Sequence, residues 1–162
     1  MKAVILTISD KGSRGERVDT SGPALKQWLE EHGVSTVALE ILPDEEAQIA
    51  DRLMHWTAKV SPHLLLTTGG TGVSPRDVTP EATQRIVDRL IPGLAELMRL
   101  RSLQITPRAA LSRAIAGIRQ GTLILNLPGS PKGALENLEA VWPTLPHAVA
   151  KIRGDQSDCA TS

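Results

Sequence analysis

Residues 64–82 read LLLTTGGTGVSPRDVTPEA, an apolar run that ends in three glycines within four positions and then resumes at Thr79-Pro80. The run has the character of a strand buried on both faces, and Thr-Pro is a helix-start signal. A strand that passes through Gly69, Gly70, Thr71 and Gly72 into a helix lies where ligands bind in open α/β sheets, outside the carboxyl ends of the strands. Glycine lets backbone N–H groups come close to an anion, and successive N–H groups form a concave nest for phosphate. Thr67, Thr68 and Thr71 place hydroxyls beside it. One or two glycines would satisfy a plain tight turn, so three between threonines favour anion binding. Two familiar phosphate loops are excluded: Val73 and Ser74 stand where a P-loop needs lysine and Ser/Thr, and the dinucleotide fingerprint has a different glycine spacing.

The surrounding chain alternates strand and helix patterns. Residues 1–9 are a short apolar run, residues 10–20 a polar loop, and Ser21-Gly22-Pro23 opens a helix with Leu25, Trp28, Leu29 and His32 at helical spacing until Gly33. VSTVALEIL, residues 34–42, reads as a second strand. Asp44 then opens a helix carrying Ile49, Leu53, Trp56 and Val60. After the glycines a helix from Thr79 is expected to turn Ile86, Val87 and Leu90 inward, and Pro92 to restart it. AIAGIRQGTLILNL, residues 114–127, predicts two strands joined at Gln120-Gly121. Ser130-Pro131 opens a last helical region divided by Pro143 and Pro146. The expected fold is α/β, three layers (αβα), with a mostly parallel mixed sheet and an antiparallel edge pair. A single domain over residues 1–154 is expected, with residues 155–162 a flexible tail.

Composition narrows the function classes. The 162 residues carry 18 Lys plus Arg against 18 Asp plus Glu, so no net field draws the chain to nucleic acid or to an anionic membrane. Phe and Tyr are absent and only Trp28, Trp56 and Trp142 supply rings, a poor basis for stacking on bases. Lone Cys159 in the polar tail makes no internal disulfide, and the four histidines lack metal-ligand spacing. No cleavage signal or transmembrane run is legible, which predicts a cytoplasmic protein.

A second loop, LILNLPGSPKG at residues 123–133, places Pro128-Gly129 at another strand end, where an ordinary turn is an equal reading. Two aspartates fall at the same end of the sheet. Asp44, before Glu45 and Glu46, has the position of a helix N-cap or of a Mg²⁺ ligand. Thr79 fills the capping role for the next helix, which leaves Asp77 with less structural reason to be there. Arg76 either pairs with Asp77 or contacts phosphate.

TTGGTG followed by RDVTPEA, with LPDE at 42–45 and NLPGSPKG at 126–133, resembles the MogA/MoaB family of molybdenum cofactor biosynthesis and the related Cnx and gephyrin G domains. The resemblance runs from TISD at residue 7 to IRGD at residue 155. It implies a molybdopterin adenylyltransferase, moving AMP from ATP to the terminal phosphate of molybdopterin with Mg²⁺ and releasing pyrophosphate. By the same resemblance Thr68, Gly69, Gly70, Thr71 and Gly72 hold the pterin phosphate, and Asp44 and Asp77 are the catalytic, metal-holding pair. Ser9, Asp10 and Ser13 border nucleotide or pterin, and Ser112, Asn126, Pro128 and Gly129 form the opposing wall. Homotrimers or hexamers and contact with other enzymes of the pathway are also implied. Two other readings stay open: a MoaB-like pterin-binding protein with little turnover, and a nucleotide sensor.

Overall fold

The computed structural model describes residues 1–156; Cys159 and the rest of the expected tail beyond residue 156 lie outside the described residues. In chain order the elements are β1 (Lys2–Ile8), a one-turn helix α1 (Asp10–Ser13), α2 (Ser21–Glu31), β2 (Ser35–Leu42), α3 (Glu46–Lys59), β3 (Leu64–Thr68) and α4 (Thr79–Ile86). There follow β4 (Arg89–Leu90), α5 (Pro92–Leu103), a 3-10 turn at Pro107–Leu111, β5 (Ala116–Arg119), β6 (Thr122–Leu127), α6 (Pro131–Val141) and α7 (Leu145–Ile152).

The strands form one six-stranded sheet in the order β2-β1-β3-β6-β5-β4. β2, β1, β3 and β6 run parallel, while β5 is antiparallel to β6 and to β4. The three central strands are predominantly apolar because both faces are covered, and their apolar residues divide alternately between two cores. Ala3, Ile5, Leu64, Leu66, Leu123 and Leu125 face α2, α5, α6 and α7, packing on Leu25, Leu29, Met98 and Leu138. Val4, Leu6, Leu65 and Ile124 face α3 and α4, packing on Ile49, Leu53, Ala82 and Ile86. The molecule is thus a three-layer αβα sandwich around a mixed sheet.

Several details differ from the sequence expectations. The polar segment after β1 contains α1, whose Ser9 cap accepts from the Gly12 amide at 3.0 Å. α4 stops at Ile86, and Leu90 lies half exposed in the two-residue strand β4, which takes the sheet edge outside β5. The antiparallel pair β5-β6 therefore sits inside that edge. Its two-residue turn has positive φ at both Gln120 (45°) and Gly121 (80°), the type I′ geometry that matches strand twist.

Parallel alignment brings the carboxyl ends of β1, β2, β3 and β6 to one rim. α2, after β1, covers one face and α3, after β2, the other, so the chain changes direction across the sheet between β1 and β3. Such a switch point opens a crevice at the strand ends.

Candidate active site

A cavity of about 360 Å³ opens at this switch point, lined among others by Ser9, Arg17, Asp19, Asp44, Thr68, Gly69, Gly70, Asp77, Gly129 and Ser130. A second of about 360 Å³ lies beyond the same loops, lined among others by Thr71, Gly72, Arg108, Leu111, Ser112 and Pro128, with Ser130 common to both. Both fall in the size range of small-molecule sites. The glycine loop and the Pro128–Ser130 loop form the partition between them, in contact where a side chain on Gly129 would lie 3.3 Å from the Gly69 Cα. Thr68 Oγ1 fastens the two loops by donating to the Pro128 carbonyl at 2.6 Å.

Glycine is dictated in this partition by backbone and by space. Gly69 and Gly70 have φ of 109° and 64°; a Cβ on Gly69 would stand 2.2 Å from the Ile8 carbonyl oxygen, and one on Gly70 2.3 Å from Thr79 Oγ1. Gly72 has ordinary φ, but its Cβ would approach Asp77 Oδ2 to 2.9 Å. Among the described residues, the amides of Gly70, Thr71, Gly72 and Val73 donate to no acceptor in the chain. Main-chain donors without an acceptor in the chain are available to a ligand or to water.

Asp44 and Asp77 flank this loop. The Gly70 Cβ position is 3.0 Å from Asp44 Oδ1, and the Gly72 position is the one against Asp77. Asp44 is no helix cap: α3 is preceded by Glu45, without a side-chain capping bond. Its Oδ2 instead accepts from the Asp10 amide at 2.8 Å, while the Asp44 amide donates to Asp10 Oδ1 at 3.0 Å, so two strand ends lock reciprocally. Burial pushes the Asp44 carboxyl above its usual range, opposed by the Asp10 amide and reinforced by the nearby charges of Asp10 and Asp77. Asp77 does have a structural bond, its Oδ2 accepting from the Ser74 amide at 2.8 Å. Thr79 is likewise the first residue of α4 and not its cap; its Oγ1 donates to the Gly69 carbonyl at 2.9 Å.

Arg76 pairs with neither Asp77 nor the cavity. Its guanidinium grips Asp10 at 3.0 and 2.9 Å and Glu45 at 2.9 Å, and holds the Asp10 carboxyl below its usual range. Asp10 thus reaches the site only through Asp44. Ser13 lines neither cavity and donates to the Asp10 carbonyl. Asn126 lines neither as well: fully buried, it donates to Thr67 Oγ1 (3.0 Å) and Thr83 Oγ1 (2.9 Å) and accepts from the Ile115 amide (3.3 Å), tying α4 to the sheet.

Sequence reasoning missed Arg17, Asp19 and Arg113. Asp19 gathers the head of α2, accepting from Thr7 Oγ1 at 2.7 Å and from the Ser21 and Gly22 amides at 3.1 Å. Arg17 lines the first cavity and forms no ion pair among the described residues. Asp19 is recognisable in retrospect as an Asx cap two residues before Ser21; the other two carry no local signal.

The donor set suits a hard cation that brings its own oxygen ligands. Among the described residues no group of three or more His, Cys, Asp or Glu is arranged to hold a metal alone. Mg²⁺ bound with phosphate uses only one or two carboxylates and keeps several waters. Asp44 and Asp77 each have one oxygen engaged with a main-chain amide and the other, Oδ1, without a hydrogen bond among the described residues. No helix among those residues is long and apolar enough to cross a membrane.

Residues 4–147 match the family described as "Probable molybdopterin binding domain". The chain is 43% identical over 153 residues to a molybdopterin adenylyltransferase of Helicobacter pylori, covering 93% of this chain and 87% of that protein. It is 47% identical over 139 residues to the molybdopterin adenylyltransferase of Escherichia coli K12, covering 85% and 71%. The crystal structure of the molybdopterin biosynthesis enzyme MoaB from Thermus thermophilus superposes with a TM-score of 0.90 at 55% identity, covering 95% of this chain and 97% of that one.

Proposed function

The chain belongs to the molybdopterin-binding family of molybdenum cofactor biosynthesis, and from that membership we propose that it is a molybdopterin adenylyltransferase. It transfers AMP from ATP to the terminal phosphate of molybdopterin and releases pyrophosphate. One observation carries the reading: a run of amides without acceptors among the described residues, Gly70 to Val73, starts in the crevice that Asp44 and Asp77 line and continues along the second cavity at Thr71 and Gly72.

In this reading the amides of Gly70, Thr71 and Gly72 hold the pterin phosphate, with the Thr68 and Gly129 loops as its walls. Charge accumulates on several oxygens during in-line attack at the α-phosphorus, and fixed N–H dipoles stabilise it without reorganising. Asp44 and Asp77 would hold Mg²⁺, which would neutralise phosphate charge. Arg17 supplies a cation to the polyphosphate, and the reciprocal Asp10–Asp44 bonds fix the Asp44 carboxylate in position. No side chain in the crevice is placed as a covalent nucleophile; the site works by positioning. Ser112 and Pro128, in the second cavity, contact the substrate half that lies beyond the partition.

Incubation with ATP, Mg²⁺ and molybdopterin is expected to give adenylylated pterin and pyrophosphate, detected by mass spectrometry, with turnover lost on chelation. Pterin binding without product would favour the second reading, a pterin-binding relative with little turnover, for which the likeness to a protein called MoaB speaks.

The chain works as a homo-oligomer, with a trimer the simplest form, and does so in the cytoplasm beside its pathway partners. Two separate apolar patches support the assembly. Val37, Leu39 and Ile41 are 37–40% exposed on edge strand β2, while Leu97, Leu100 and Leu103 are 38–61% exposed on α5. Different patches that complement each other make a head-to-tail contact, which forms a ring where the rotation between subunits closes.

A further inference from the structure

Each carbonyl of the glycine loop is tied from behind, and among the described residues two do the tying. Thr79 Oγ1 donates to the Gly69 carbonyl at 2.9 Å and the Thr79 amide to the Gly70 carbonyl at 3.1 Å. The Arg113 amide donates to the Thr71 carbonyl at 2.9 Å and Arg113 Nε to the Gly72 carbonyl at 2.6 Å. A trans peptide is planar, with its C=O and the next N–H pointing in opposite directions. Holding the carbonyls of Gly69, Gly70, Thr71 and Gly72 inward therefore turns out the amides of Gly70, Thr71, Gly72 and Val73, which are the four without acceptors among the described residues.

We propose that Thr79 and Arg113 are the positioning residues of the phosphate nest, and that Arg113 acts through its fork geometry and not through its charge. Neither residue lines either cavity. The Arg113 guanidinium is used up behind the loop: besides Gly72 it donates to the Asp77 carbonyl and to the Glu81 carboxylate. One planar group thereby sets the last peptide of the nest, Gly72–Val73, and the backbone of Asp77, so that amide and the carboxylate share a common reference. Lysine carries the same charge but cannot present divergent donors to two carbonyls and a carboxylate at once.

The proposal rests on the loop being a phosphate site, as in the function proposed above, but it is tested without turnover. The full chain, labelled with ¹⁵N, is titrated with inorganic phosphate while the amide resonances of residues 70–73 are followed. Wild type is expected to show all four moving with one dissociation constant. In Arg113→Lys and Arg113→Met alike, Val73 should stop responding, while Gly70 and Thr71, held by Thr79, and Gly72, held by the main-chain amide of residue 113, should still shift; affinity should fall about tenfold, the effect of losing charge-assisted bonds. Chemical shifts outside the loop report that the fold is kept. Rescue by Lys would overturn the proposal in favour of plain electrostatics. Silence of all four amides in wild type would overturn it too. Phosphate binding as described in a protein without adenylyl transfer would remove the proposed function and leave this inference standing.

Discussion

Asp44 sits where water is partly withdrawn, and its carboxyl is held above the ordinary range mainly by that burial. The folded chain then binds the Asp44 proton more tightly than the unfolded chain does. Stability from this group therefore declines as pH rises from the usual aspartate value of about 3.9 through the raised one, and the penalty is complete at neutral pH. A carboxylate that weakens the fold is expected at a site that holds a cation. Asp44→Asn keeps an oxygen to accept from the Asp10 amide and removes the charge. At pH 7.5 it should melt about 1–2 °C higher than wild type, corresponding to a few tenths of a kcal/mol at this length, with transfer reduced at least about 100-fold. Below the raised Asp44 value the melting difference should vanish. A lower melting temperature at pH 7.5 would show that Asp44 is structural.

The central strands and their glycine exits are legible in the sequence because burial on both faces leaves an unbroken apolar run, and because three close glycines have few structural uses. Gln120-Gly121 is likewise readable as a hairpin turn. Other elements depend on partners far along the chain. β4 is two residues paired to β5, with no run of its own to read. Asp44 resembles a cap locally, and only its exchange of bonds with Asp10, 34 residues earlier, shows otherwise. Asn126 is a site residue only by the family resemblance, and its amide is spent on Thr67, Thr83 and the Ile115 amide. Asn126→Leu leaves two buried hydroxyls and an amide without their partner, which should cost about 2–3 kcal/mol in urea unfolding. An unchanged midpoint would mean that α4 is not anchored by this network.

The whole molecule sets four parallel strand ends on one rim, so segments distant in sequence supply one crevice: Ser9 with residues 17–21, Asp44, residues 68–70 with Asp77, and Gly129 with Ser130. The same arrangement leaves β2 at an open edge with apolar side chains half exposed, and α5 with Leu100 61% exposed. Patches of this kind usually meet a partner. Light scattering should give three times the chain mass for wild type and a smaller species for Leu100→Glu, whose buried charge a subunit contact would not accept. A wild-type monomer would remove the assembly proposal while leaving the crevice intact.

In the proposed function the amides of the glycine loop and the two flanking carboxylates act on adjacent phosphates, and a crystal structure with molybdopterin, Mg²⁺ and an α,β-methylene analogue of ATP would show whether they do. The pterin phosphate is expected within about 3 Å of the amides of Gly70, Thr71 and Gly72, and the metal on Asp44 and Asp77 beside the α-phosphate. Phosphates seated away from the loop, or a metal on neither aspartate, would contradict it.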